Sequence, residues 1–166
     1  MKTLIVVNGT MGIGKTTLCK KLNKQLSSSV WLDGDWCWMM NPWIFSEENK
    51  AMVIENIGFL LRNYLKNSGF DYVLFSWVIH QDAIWNLILQ QISDLEFELI
   101  RFSLVCDNAT LEQRLIQRGD TPDVIRESLG RLSFYEEMDS VKIDTANSID
   151  ENLILMMNKI TERKRV

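Results

Sequence analysis

Long apolar runs, paired cysteines, more than one histidine and a surplus of basic residues are all missing from this chain of 166 residues. Each absence removes a class of protein. No run approaches the roughly 18 to 20 apolar residues that a membrane span needs, so no membrane partner is expected. The opening Met1-Lys2-Thr3-Leu4-Ile5-Val6-Val7-Asn8 carries one charged side chain and too short an apolar run for a secretory signal. It is expected to be a buried strand. Cys19, Cys37 and Cys106 form no CxxC pair, and an odd number closes no disulfide framework. With His80 the sole histidine, a Cys/His metal site is not expected. Reduced thiols point instead to a cytoplasmic protein. A net charge of −4 has the wrong sign for a nucleic-acid partner. The basic end, Lys159 to Arg165, reads as a helix C-terminus whose cations suit its dipole. Repeats, low-complexity tracts and linkers are lacking too, so residues 1–166 are expected to form one domain.

What is present is an alternation of short β-rich runs with longer helical patterns. Strands are expected at Thr3–Asn8, Val30–Asp33, Tyr72–Trp77, Glu98–Cys106 and Val141–Asp144. Between them, helices are expected from Lys15 to Leu26, after a Ser46 cap, over Asp82–Leu95, and from an Asn108 or Thr110 cap through Gln117. Another begins near Asp123, and Ser148-Ile149-Asp150-Glu151 is a capping box opening the last. Such alternation implies an α/β fold: a mostly parallel sheet covered by helices on both faces.

Gly9-Thr10-Met11-Gly12-Ile13-Gly14-Lys15-Thr16-Thr17 satisfies GxxxxGK[ST] and falls between a strand and a helix. Glycines there let backbone N–H groups turn inward around phosphate oxygens, and the following helix directs its positive end at the same anion. In this pattern Lys15 reaches the β- and γ-phosphates and the Thr16 hydroxyl ligates Mg²⁺.

With that loop, and with Leu32-Asp33-Gly34-Asp35 after the second strand, the chain resembles the small P-loop kinases. These are the gluconate kinase-like, adenylylsulfate kinase-like and chloramphenicol phosphotransferase-like group, related to nucleoside monophosphate kinases. The resemblance runs almost end to end and takes in an arginine-bearing lid, about 114–131, and Ile143-Asp144-Thr145 in the last strand. It implies a P-loop NTPase fold with a five-stranded parallel sheet of order 2-3-1-4-5. It also implies ATP as phosphoryl donor and a small hydroxyl- or phosphate-bearing acceptor.

By the same resemblance Asp35 is the candidate to accept the acceptor's hydroxyl proton, and Asp33 to orient it or hold the Mg²⁺ waters. Two apart on an extended chain, the two acids face the same way unless Gly34 turns the second. Arg114 and Arg118 are four apart on a helix and project from one face into the lid loop; Arg126 and Arg131 follow. Planar guanidinium groups suit the spread charge of a transferring phosphoryl group. The alternative for these arginines is pairing with Glu112, Asp120 or Glu127. In the family the segment after the last strand passes the adenine, so Thr145, Ala146 and Asn147 are expected to supply backbone contacts. One departure stands out. Many P-loop enzymes carry an acid at the end of the third strand, whereas here it ends Leu74-Phe75-Ser76-Trp77. The DGxPR-type motif of nucleoside monophosphate kinases is missing as well, which argues against a standard nucleotide kinase; together these departures shift metal support to Thr16 and the Asp33/Asp35 pair.

The acids lie within Trp31-Leu32-Asp33-Gly34-Asp35-Trp36-Cys37-Trp38-Met39-Met40-Asn41-Pro42-Trp43, four tryptophans in thirteen positions. Trp31 is expected in the sheet core. Trp36, Trp38 and Trp43, with Trp77 and Trp85, either wall an aromatic or nucleoside-like acceptor or pack the helix after Ser46 onto the sheet. His80 is expected to be a hydrogen-bonded loop residue, and Cys37 has no basic neighbour to activate it. The leading expectation is an ATP-dependent small-molecule kinase. A nucleotide-binding regulator or a domain that has lost transfer is the alternative; the [NT]KxD motif of guanine-reading switches is missing.

Overall fold

The computed structural model describes residues 1–163. Five strands form one parallel sheet: β1 (Lys2–Asn8), β2 (Ser29–Asp33), β3 (Tyr72–Trp77), β4 (Phe97–Val105) and β5 (Val141–Asp144). Their order is β2-β3-β1-β4-β5. The helices are α1 (Lys15–Gln25), α2 (Glu47–Lys66), α3 (Asp82–Gln90), α4 (Asn108–Arg118), α5 (Pro122–Gly130), α6 (Leu132–Glu137) and α7 (Ile149–Arg163). A 3-10 turn, Gly34–Trp38, follows β2 directly.

Alternation along β1 splits the core in two, as the period of a strand requires. Ile5 and Val7 face α1, α4 and α7, where Leu18, Leu22, Leu111, Leu115, Met156 and Ile160 close over them. Leu4 and Val6 face α2 and α3, against Val53, Ile57, Leu61, Trp85 and Ile88. Because both faces are covered, β1 reads as an unbroken apolar run. Asn8 is the polar residue that ends it.

Most helix ends follow their local chemistry. Ser46 Oγ accepts from Asn49 N at 3.1 Å. Ser148 and Glu151 exchange the capping-box bonds, Ser148 N to Glu151 Oε2 at 2.9 Å and Glu151 N to Ser148 Oγ at 3.3 Å. Three expectations change. The α4 cap is Asp107, not Asn108 or Thr110: its carboxylate accepts from Thr110 N at 2.8 Å and Thr110 Oγ1 at 2.6 Å. An ionised acceptor outcompetes the neutral ones beside it. Helix α3 stops at Gln90 rather than Leu95, because the chain tightens into successive turns, Ile92 N to Leu89 O and Leu95 N to Ile92 O, that bury Ile92 completely. The returning helix of the second half is broken at Arg131 into α5 and α6. Of the basic C-terminal run, Lys159 pairs with Glu162, while Lys164 and Arg165 lie outside the described residues. Among the described residues no helix is long and apolar enough to cross a membrane.

Candidate active site

All five strands are parallel, so their carboxyl ends lie on one edge, where ligands of open α/β sheets bind. There β1 delivers the phosphate loop, β2 the acids, β3 Trp77 and His80, and β5 the turn at Thr145. Asn8 ties the phosphate loop to the segment after β3. Its Oδ1 accepts from Gly9 N at 3.0 Å and Ile79 N at 2.9 Å, and its Nδ2 donates to Ile79 O at 2.7 Å. Sequence reasoning passed over this residue; a polar side chain ending an apolar strand just before a phosphate loop was the available signal.

In the loop, Gly12 adopts φ 75°, a left-handed conformation that other residues rarely take. A Cβ there would stand 2.4 Å from Leu115 Cδ2 and 3.8 Å from Arg118 Nη1. Helix α4 therefore presses its last turn onto the loop. Lys15 is 8% exposed, and its ammonium donates to the Gly9 and Thr10 carbonyls, both at 2.9 Å. Burial pulls its pKa down to about 8, although Asp35 and Asp33 favour the charged form. The Thr10 hydroxyl donates to Ser128 O at 2.9 Å, which docks α5 against the same loop.

Facing Lys15 is a short chain of oxygens. Thr16 Oγ1 donates to Asp33 Oδ2 at 3.1 Å, and Asp33 Oδ1 accepts from Asp35 N at 3.1 Å. Asp33 is 4% exposed, and these two bonds satisfy both of its carboxylate oxygens. It caps the 3-10 turn, which rotates Asp35 away from the direction a simple extended strand would give. Asp35 is pushed above the usual carboxylate range by burial first and by Asp33 second, against the pull of Lys15 and of the adjacent Trp77 indole. Trp77 packs against Gly34, where a Cβ would come within 2.4 Å of the ring. Its buried Nε1 has no hydrogen-bond partner of normal geometry among the described residues.

The oxygen set suits a hard divalent cation. Mg²⁺ commonly takes one or two protein oxygens and completes its shell with waters and substrate phosphates. Thr16 and Asp33 offer a hydroxyl and a carboxylate already in contact. Ser76, level with Asp33 in the register, supplies no charge: its Oγ accepts from Trp31 Nε1 at 3.0 Å.

The four arginines occupy different places. Arg114 donates from Nη1 to Thr145 Oγ1 at 2.8 Å and from Nη2 to Thr145 O at 2.7 Å, fastening the turn after β5. Within that turn Thr145 N donates to Val105 O, Ala146 N to Asp144 Oδ1 and Asn147 N to Asp144 O. Arg118 lies against the phosphate loop and pairs with Asp120. Arg126 pairs with Asp123 within α5, and Arg131, at the break after α5, pairs back with Glu127.

The tryptophans divide likewise. Trp85 and Trp77 are buried, 3% and 8% exposed, and Trp31 is half-buried against the sheet. Trp36 and Trp43 remain more than half exposed. Trp43 stacks on Phe45 with centroids 5.6 Å apart and planes 9° from parallel, and Trp38 leans on both. The segment after the acids is thus partly core and partly an open aromatic wall. His80 packs beside Phe134, its buried Nδ1 without a hydrogen-bond partner of normal geometry among the described residues, although the Val78 backbone lies close enough to favour its charged form. Burial and then Arg131 lower its pKa. The cysteines are free, and burial raises Cys37 and Cys106 and carries Cys19 to about 12, so none is a poised thiolate.

Sheet order, phosphate loop and acidic turn together define a small P-loop kinase-type fold. The chain belongs to the family described as AAA domain, whose model matches residues 5–140. It is similar to cytidylate kinase of Buchnera aphidicola subsp. Baizongia pistaciae (strain Bp), with 23% identity over 116 residues, 69% of this chain and 50% of that protein. The match spans about half the length of that curated relative. Solved structures share the architecture across nearly the whole of both chains. A gluconokinase from Sinorhizobium meliloti aligns with a TM-score of 0.66 and 14% identity, covering 98% of this chain and 97% of that one. The tunicamycin resistance protein of Deinococcus radiodurans gives 0.69 and 16%, covering 96% of each chain. Shikimate kinase from Acinetobacter baumannii in complex with shikimate gives 0.67 and 19%, covering 99% and 96%.

Proposed function

We propose that this protein is an ATP-dependent phosphotransferase that moves a γ-phosphoryl group to a small-molecule hydroxyl or phosphate acceptor. The observation that carries this reading is the run Thr16–Asp33–Asp35, hydrogen-bonded in series and set opposite Lys15 at the mouth of the phosphate loop. Phosphoryl transfer asks a protein mainly for positioning and charge neutralisation; this run would supply the first and, through Lys15 and the cation it would hold, the second. The loop N–H groups and Lys15 hold the phosphate chain. Thr16 and Asp33 hold Mg²⁺, which when bound neutralises phosphate oxygens. Asp35, its proton affinity raised by partial burial and by neighbouring Asp33, takes the acceptor's proton. Arg118, on a lid spanning about 114–131, faces the phosphates, while Arg114 braces the Thr145–Ala146 turn against the base.

The acceptor in this reading is flat and aromatic or nucleoside-like, laid against the exposed wall of Trp38, Trp43 and Phe45. Kinases among the relatives support phosphoryl transfer as the chemistry. A nucleotide-binding domain without transfer is favoured by one observation, the neutral Ser76 where related enzymes carry an acid.

The deciding experiment measures ADP release from Mg·ATP with cytidylate, other nucleotides, nucleosides, gluconate, shikimate and aromatic antibiotics as acceptors. We expect acceptor-dependent release, strongest for a ring-bearing compound. Asp35→Asn should cut that turnover by about 10²- to 10⁴-fold, the usual worth of a general base, and leave ATP affinity within about threefold. Slow release indifferent to every acceptor would rule out the transfer reading. Equal loss of binding and turnover in Asp35→Asn would remove Asp35 as the base.

A further inference from the structure

Arg118-Gly119-Asp120 closes on itself in a way that the proposed chemistry does not require of any one of its residues. Helix α4 ends with Gly119 at φ 83° and ψ 26°, the left-handed turn that glycine adopts freely. Gly119 N donates to Ile116 O at 3.0 Å and Asp120 N to Leu115 O at 3.1 Å, so the chain folds back over the helix end. Thr121 then caps α5, accepting from Val124 N, with Pro122 in the first turn. Asp120 is pinned between two helix ends.

Its carboxylate grips one edge of the guanidinium two residues earlier. Arg118 Nε donates to Oδ2 at 2.6 Å and Nη2 to Oδ1 at 2.9 Å. The opposite end of the same guanidinium, Nη1, is the part that lies against Gly12 of the phosphate loop. An arginine has five N–H donors in a rigid fork, and two are used by Asp120. As a stability device the pair contributes little, since the Arg118 side chain is 49% exposed. As an orienting device it is complete: bidentate, planar and anchored on a fixed backbone.

We propose that Asp120 is a positioning residue that holds Arg118 by its Nε–Nη2 edge and presents Nη1 to the phosphate chain before ligand arrives. This rests on the reading of the loop as a nucleoside triphosphate site. Freed from Asp120, Arg118 would have to be ordered by the ligand, at a cost comparable to immobilising one long side chain.

The test is calorimetric binding of Mg·AMP-PNP to the wild type, Asp120→Ala, Asp120→Asn, Arg118→Ala and the Arg118→Ala/Asp120→Ala double variant. We expect Asp120→Ala to weaken binding roughly three- to tenfold and Asp120→Asn by less, since the amide keeps one acceptor. On the Arg118→Ala background, Asp120→Ala should change nothing further, the signature of a residue acting through its partner. A merely structural Asp120 would instead give additive losses and a lower urea midpoint in every variant carrying the change. Unchanged affinity in Asp120→Ala, or tighter binding in either Asp120 variant, overturns the proposal. Wild-type protein that fails to bind Mg·AMP-PNP overturns the nucleotide reading with it, whereas normal wild-type binding confines the failure to Asp120.

Discussion

Lys15 is a cation held almost out of water by a loop that offers it two carbonyls. Desolvation outweighs the attraction of Asp35 and Asp33, so its pKa falls from 10.5 to about 8. Below about 8 the ammonium is charged in both folded and unfolded chains, and its burial costs stability. As pH rises from about 8 to 10.5 the folded chain sheds that proton first, so this cost is relieved. Ligand binding has the opposite sign, because a triphosphate favours the ammonium. Affinity for Mg·AMP-PNP should therefore hold steady below pH 8 and fall above it, by at most about tenfold per unit. Lys15→Arg, which does not titrate in this range, should flatten the profile, and Lys15→Ala should bind weakly at every pH. Titration across pH 7 to 9.5 checks this, and a flat wild-type profile would separate Lys15 from the phosphate. The residue was legible in the sequence because the loop pattern is contiguous. Asp120 was legible only as an alternative partner for the arginines, and Asn8 was not legible as a site residue, since its role depends on partners brought close by the sheet.

At the scale of elements, the caps at Ser46 and Ser148 were legible because a cap is a contact between residues a few positions apart. The stop at Gln90 and the break at Arg131 were not. Both serve burial of single side chains, Ile92 and Tyr135, in a core that periodicity alone does not locate. The 3-10 turn after β2 is of the same kind. Asp33 and Asp35 were expected to face the same way unless Gly34 turned the second; the turn is what forms, and Trp77 from another strand packs against it at Gly34. A methyl group added at Gly34 would meet three atoms of the indole ring at 2.4 to 2.8 Å. Gly34→Ala must therefore shift the ring or the turn, at a cost of about 1–3 kcal/mol. Because the turn carries Asp35, phosphoryl transfer should fall more than nucleotide affinity. Urea unfolding with parallel kinetics checks both, and a variant as stable and as active as the wild type would show that Trp77 does not set the turn.

Over the whole molecule, the alternation of strands and helices was enough to imply a parallel sheet with two covered faces. The order of the strands came from likeness to a known group, because crossovers leave no mark in hydrophobic spacing. One consequence exists only at this scale. The phosphate loop is held from several sides: by Asn8 and the segment after β3, by the last turn of α4 through Leu115, and by α5 through the Thr10–Ser128 bond. A ligand seated in the loop thus bears on both cores at once, Leu115 belonging to one and Ile79 to the other. Linkage then predicts that nucleotide stabilises the fold as a whole rather than the loop alone. With Mg·AMP-PNP at a hundred times its Kd, the native state should gain about 2.7 kcal/mol. For a chain of this size, that is a rise in Tm of roughly 5–10 °C. The transition should stay single, and the gain should shrink when Mg²⁺ is chelated, since Thr16 and Asp33 then meet the phosphates without a counter-charge. Scanning calorimetry reads all three. An unchanged Tm at saturating ligand would mean that binding does not favour the native state, and a gain independent of Mg²⁺ would take the metal away from Thr16 and Asp33.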